Sequence, residues 1–198
     1  MERERVTLLV PTLGGGGAER VMVRLANALA RRGVDVDLLV FTSEGPFKRD
    51  VAPEVELVDL GTVRARATVP ALVRYLRRRR PTALLSTHDR ANVLAVVARR
   101  LAGVPTRVLV RQASTFSEHV RDAFGRAAPF VPPVVRWAYL RADLVIAVSE
   151  GVGRDLVERL RLPEAHVTVV GNPMVTPELQ RQTEVIPDEP WLSAGEPP

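Results

Sequence analysis

The stretch from Val6 to Arg32 constrains the fold more than any other: an apolar run, four consecutive glycines from Gly14 to Gly17, then an amphipathic helical pattern. Val6, Leu8, Leu9 and Val10 show no polar alternation, which suits a strand buried on both faces of a parallel sheet. Pro11 ends that run. The glycines let the chain turn tightly and approach another group closely, because a backbone without Cβ accepts φ > 0. From Ala18 the period changes: Ala18, Val21, Met22, Leu25 and Leu29 share one helical face, and Glu19, Arg20, Arg24 and Arg31 the other. Glu19 in the first turn, Arg31 and Arg32 in the last and Gly33 beyond them follow the dipole and capping preferences of a helix.

A glycine loop entering a helix N-terminus offers free N–H groups and partial positive charge, the means to hold a phosphate or a sugar oxygen. The plainer reading is a connecting turn, but a turn does not need the entropic cost of four glycines. Two phosphate loops are excluded. In the G-x-G-x-x-G fingerprint the third glycine would fall on Glu19 or Arg20, depending on register, and the P-loop would need Gly-Lys-Ser/Thr where this chain has Gly17-Ala18-Glu19.

With 198 residues, 46% of them apolar, the chain buries one core, so a single domain is expected. It has no cysteine, which removes disulfides and thiolate metal sites. No apolar run reaches the ~18 residues of a membrane span, and a cytoplasmic protein, soluble or peripheral on the membrane's inner face, is expected. The net charge of +5 rests on arginine, Lys48 being the one lysine. The dense run Arg77 to Arg80 reads as a solvated helix end before Pro81, with an anionic membrane surface as another partner for it. A recognition motif and an aromatic stacking platform are both missing, so no nucleic-acid partner is expected.

Along the chain, strands are expected at Val34 to Phe41, around Val55 to Leu60, and at Thr82 to Ser86, Arg107 to Val110, Leu144 to Val148 and Val167 to Val170. Helices are expected at Ala65 to Arg80, with Pro70 tolerable only in the first turn, at Asp89 to Leu101 and at Gly151 to Leu160. One or two short helices fit the proline-broken stretch Glu118 to Arg141. This alternation predicts an α/β fold, a Rossmann-like doubly wound parallel sheet. In such sheets ligands bind beyond the C-terminal strand ends, which selects four loops: Gly14 to Gly17, Ser86 to Arg90, Arg111 to Ser117, and Ser149 to Gly153. Residues 1–175 form the expected domain. Thr176 to Pro198, with five prolines and no apolar period, reads as a linker.

The segments GGGGAERVMVRLANALARRGVDVDLLVF, ADLVIAVSEGVGRDLV and VTVVGNP resemble the N-terminal domain of family 4 glycosyltransferases of the GT-B fold, in particular bacterial members that build lipopolysaccharide and capsule. The resemblance spans about Val6 to Pro177. It implies one of two Rossmann-like domains facing each other across a cleft: this one for the acceptor, a second, without counterpart in these residues, for most of the nucleotide-sugar donor. Residues 176–198 would lead to that second domain. A retaining, metal-independent sugar transfer to a bacterial glycan or lipid-linked saccharide is implied, with the isolated chain inactive. The nucleotide sugar is then a substrate, and no cofactor is expected.

Carried over by position, Gly15, Gly16 and Gly17 match the family's loop beside the donor phosphates and acceptor. Gln112 stands where many relatives have histidine; an amide hydrogen-bonds a sugar hydroxyl but exchanges no proton near neutral pH. No catalytic residue is assigned. The other acceptor-cleft candidates are His88, Asp89, Arg111 and Ser149. Arg111 suits an anionic acceptor group, or an ion pair with a nearby acid. Asp89 and Ser149 also suit helix N-caps, and His88 a hydrogen-bonded structural role. Phe124 to Leu140 interleaves Phe130, Trp137 and Tyr139 with arginines, which suits either a membrane-surface or lipid-acceptor contact or an ordinary core helix. A stand-alone phosphate- or sugar-binding module, or one subunit of a split transferase, is the alternative.

Overall fold

The structure, a computed structural model, describes residues 4–62, 64–115 and 131–173. The reading of 176–198 as a linker, the segment Phe124 to Phe130, and His119 lie outside these residues. Seven strands form one sheet, ordered β3-β2-β1-β4-β5-β6-β7, with every neighbouring pair parallel. They are β1 Arg5–Val10, β2 Asp35–Val40, β3 Glu56–Asp59, β4 Ala83–Thr87, β5 Arg107–Gln112, β6 Leu144–Ala147 and β7 Val167–Val169. The helices are α1 Gly17–Arg31, α2 Ala65–Arg79, α3 Asp89–Ala102, α4 Val131–Tyr139 and α5 Glu150–Leu160.

Alternation along the buried strands divides the core in two. Leu8, Val10, Leu38 and Val40 face α1, where Met22, Val23 and Ala26 meet them. Leu9, Leu39, Leu84, Val108, Val110 and Val145 face the opposite way, toward residues of α2, α3, α4 and α5. Helices thus cover both faces of a parallel sheet, the doubly wound arrangement that the alternating pattern predicts. Order reverses between β1 and β4, and the first loop and the loop after β4 meet beyond that point.

Two local differences from the sequence reading have physical causes. β5 runs on to Gln112, so Arg111 and Gln112 are strand residues rather than loop residues. Arg111 pairs with Thr87 of β4 and Ile146 of β6 across the ladder. Pro70 lies in the second turn of α2, not the first. Its ring deprives only the Arg66 carbonyl of a partner, and both residues are exposed, so water serves that carbonyl. The loop after β2 contains a short 3-10 turn, Pro46–Asp50.

At one side of the sheet a buried charge is fully paired. Asp37, wholly buried, accepts hydrogen bonds from Arg5 Nη1 at 2.5 Å and the Tyr75 hydroxyl at 2.6 Å, and forms an ion pair with Arg79 Nε at 3.2 Å. Burial first, then the bond to Asp37, pushes the Tyr75 phenol far above its ordinary value. Arg79 also holds Glu56, which ties β1, β2, β3 and α2 together.

Candidate functional site at the strand-order reversal

The loop after β1 is strapped to the loop after β2. Leu13 N donates to Glu44 O at 3.0 Å, and Phe47 N to Leu13 O at 3.2 Å. Gly45 makes this possible: at φ 129° an added Cβ would stand 2.0 Å from the Leu13 carbonyl oxygen. The strap fixes Leu13 in the core and presents Gly14 to Gly17 beyond the sheet.

Among the described glycines, positive φ occurs at Gly33, Gly45, Gly61 and Gly103, and not at Gly14 to Gly17. The expectation that those four glycines serve a left-handed turn is therefore corrected. What they provide is space. Added Cβ atoms on Gly15 and Gly17 would meet nothing within 4 Å, so the loop's outer side is open to an approaching group. Gly16 is the N-cap of α1, with no side chain bonding the first N–H groups. A Cβ there would come within 2.3 Å of Glu19 Oε2, because Glu19 folds back over the helix start.

Glu19 also reaches across the reversal point. Its Oε1 lies 3.0 Å from His88 Nε2, joining the start of α1 to the end of β4. His88 holds φ 73° and ψ 134°, a region that costs a non-glycine residue ~1–3 kcal/mol and that concentrates at functional sites. His88 is thus hydrogen-bonded in a strained backbone beyond the end of β4.

Asp89 does not cap α3. His88 occupies the N-cap position, and Asp89 is the first helical residue, turned inward. Its Oδ1 faces the Tyr139 hydroxyl at 3.0 Å. That hydroxyl, fully buried, also lies 2.5 Å from Gln112 Oε1 and accepts from Asn92 Nδ2 at 2.8 Å. Asn92 Oδ1 in turn accepts from Ser86 Oγ at 2.7 Å. Burial, then the charge of Asp89, raises the Tyr139 phenol well above its ordinary value, so it stays protonated. One phenolic proton lies between two acceptors, and the network locks β4, β5, α3 and α4 under the cleft. Gln112 therefore belongs to this lock, its Nε2 donating to Ser114 O at 3.1 Å.

Ser149 is an N-cap: its Oγ accepts from Val152 N at 3.3 Å, so capping accounts for it. Tyr139 and Val135 are buried, which makes α4 a core helix on that side, while Val134 is half exposed.

Arg111 is 5% exposed and projects from the opposite face of β5 to Val110. Nη1 donates to Thr87 Oγ1 at 3.1 Å and Nη2 to Asn172 Oδ1 at 2.5 Å. Burial lowers its pKa from the ordinary arginine value. Among the described residues no acid pairs with Arg111, the partner that the alternative of an ion pair requires.

The structure thus brings Gly15, Gly16, Gly17, His88 and Arg111 to the C-terminal end of the sheet, and turns Asp89 and Gln112 beneath it. Sequence reading missed Glu19 as a partner for His88, and Ser86, Asn92 and Tyr139 as a network. Asn92 did carry a signal: an amide one turn after Asp89 on a helix face whose other buried residues are apolar. A model of Glycosyltransferase Family 4 matches residues 15–176. The chain belongs to glycosyltransferase family 4. No curated protein matches it in sequence.

Solved GT-B structures share the fold. The lipopolysaccharide outer core galactosyltransferase WaaB, in its apo form, superposes with a TM-score of 0.65 at 15% identity, over 86% of this chain and 46% of WaaB. HepE of Anabaena, in complex with UDP-glucose, gives 0.67 at 16% identity, over 91% of this chain and 50% of HepE. Sucrose-phosphate synthase of Thermosynechococcus elongatus gives 0.67 at 16%, over 95% and 54%. The chain therefore spans about half the length of each of these structures and is one of the two GT-B domains.

Proposed function

We propose that this domain is the acceptor-binding half of a nucleotide-sugar-dependent, retaining glycosyltransferase that extends a bacterial glycan or a lipid-linked saccharide. The observation that carries the reading is the cluster at the strand-order reversal: an open glycine loop, the strained His88 held by Glu19, and a buried Arg111 within two strands of each other. The glycine loop and the free N–H groups of α1 suit the donor diphosphate as the cleft closes on it. HepE's complex with UDP-glucose supports a nucleotide-sugar donor. The side chains beyond β4 and β5 suit hydroxyls and charged groups of the acceptor.

In this reading, the catalytic cleft needs a second domain facing the first, and residues 1–175 with a linker at 176–198 supply one wall. The 198-residue chain alone transfers little or no sugar. Peripheral contact with the inner membrane face would place a lipid-linked acceptor at the cleft.

The test is retention of the purified chain on an array of bacterial saccharides and lipid-linked saccharides, with UDP-glucose as competitor. Retention on saccharides that His88→Gly weakens supports the acceptor role. Binding to UDP-glucose alone, or robust sugar transfer by this chain, contradicts it.

A further inference from the structure

Arg111 is the one arginine among the described residues that is buried, and none of those residues brings a carboxylate to it. The buried Asp37, by contrast, sits between Arg5 and Arg79. At Arg111 the partners are two neutral oxygens, Thr87 Oγ1 and Asn172 Oδ1. A guanidinium carries five N–H donors in a planar fork matched to carboxylate and phosphate, so these two bonds leave donors over. The position is the ligand-binding end of the sheet, level with Thr87 in register. Asn172 comes from the exposed turn after β7, two strands away in the sheet. Its oxygen, 2.5 Å from Nη2, occupies one of the hydrogen-bonding positions of the guanidinium fork.

We propose that Arg111, with Thr87 and Asn172 around it, is an oxyanion subsite that takes a phosphate or carboxylate group of the sugar acceptor. Asn172 holds the place of one anionic oxygen and gives way when the anion arrives. Assigning the anion to the acceptor rests on the acceptor-half reading above. Geometry supports that assignment: β4 separates β5 from β1, and strands lie ~4.8 Å apart, so Arg111 stands about 10 Å from the glycine loop in the sheet direction. Two separate anionic groups fit such a spacing better than one diphosphate. The substrate class is thus a phosphorylated or acidic saccharide, or a lipid-linked one joined through phosphate.

The experiment is NMR titration of the 15N-labelled 198-residue chain, following the Arg111 Nε–H and Asn172 side-chain amide signals. The probes are inorganic phosphate, glucose 1-phosphate, glucuronate and, as the neutral control, glucose. An anion is expected to move both signals saturably where glucose does not. Arg111→Gln is expected to weaken the response roughly tenfold or more, as loss of a charge-assisted bidentate contact does. Asn172→Ala, which removes the competing oxygen, tightens it. Should Arg111→Gln fail to fold, Arg111→Lys keeps the charge without the fork and weakens binding several-fold.

A response to the phosphates alone identifies a phosphorylated acceptor, and a response to glucuronate alone an acidic sugar; either supports the subsite. Signals unmoved by every anion, or a response that survives Arg111→Gln, overturn it. Saccharide retention without an Arg111 response sinks the subsite alone. An Arg111 response without saccharide retention sinks the acceptor reading alone.

Discussion

His88 and Glu19 face each other across the point where strand order reverses, with Nε2 3.0 Å from Oε1, and His88 does so at φ 73°. Glycine at 88 relieves about 1–3 kcal/mol of backbone strain. It loses a hydrogen bond of about 0.5–1.5 kcal/mol and adds about 0.4–1 kcal/mol of unfolded-state entropy. His88→Gly is therefore expected to change stability by under about 1 kcal/mol while weakening saccharide binding. Thermal melts and binding isotherms on the same sample check this. A large loss of stability with intact binding would make His88 purely structural.

Two glycines should respond in opposite ways to the same substitution. Gly45→Ala places a Cβ 2.0 Å from the Leu13 carbonyl oxygen at φ 129°, so a loss of more than about 2 kcal/mol is expected. Gly15→Ala meets nothing within 4 Å and needs no positive φ, so stability is retained. Its methyl instead stands in the open side of the loop and weakens ligand binding. Urea denaturation separates the pair, and equal stability losses would refute the distinction.

The Tyr139 hydroxyl serves Asn92, Asp89 and Gln112 in a space closed to water. Tyr139→Phe removes it with little change in volume and leaves buried polar groups short of a partner, at a cost of about 1–3 kcal/mol. The denaturation midpoint falls while the slope stays constant. A variant as stable as the parent would show that the network is not a lock.

Glu56 titrates below its ordinary value of 4.5, chiefly because Arg79 donates a hydrogen bond to it, with the charges of Arg79, Arg5 and Arg78 adding to the effect. A folded pKa below the unfolded one contributes stability above the unfolded value, and that contribution is lost as pH falls through the folded value. Glu56 is half exposed, so screening limits the gain to under about 1 kcal/mol. The melting-temperature advantage of the parent over Glu56→Gln is expected at neutral pH and should shrink below pH 4.5. An advantage that grows on acidification has the wrong sign for this pairing.

Most of the fold was legible because hydrophobic period carries it. The face holding Val21, Met22 and Leu25 marks α1 to within a residue of its start, and Gly33 marks its end at φ 80°. Gly103 does the same for α3, at φ 64°. Polarity misled at Arg111 and Gln112, since a buried arginine bonded to Thr87 and a glutamine in a buried network give a strand end the polarity of a loop. The close approach of Gly45 to Leu13 is a tertiary fact that no local pattern carries. The cleft's glycine loop was visible in the sequence, but the His88–Glu19 contact joins residues 69 apart and needed the topology to bring them together.

The central claim is that the reversal-point cluster binds a sugar acceptor. Shift mapping on the labelled chain, first with the saccharides retained on the array and then with UDP-glucose, tests it most directly. The account predicts saccharide-induced changes centred on Gly15 to Gly17, His88 and Arg111. Changes confined to the hollow lined by Val73, Arg77 and Leu101 on the helical face, or no response to any saccharide, would contradict it.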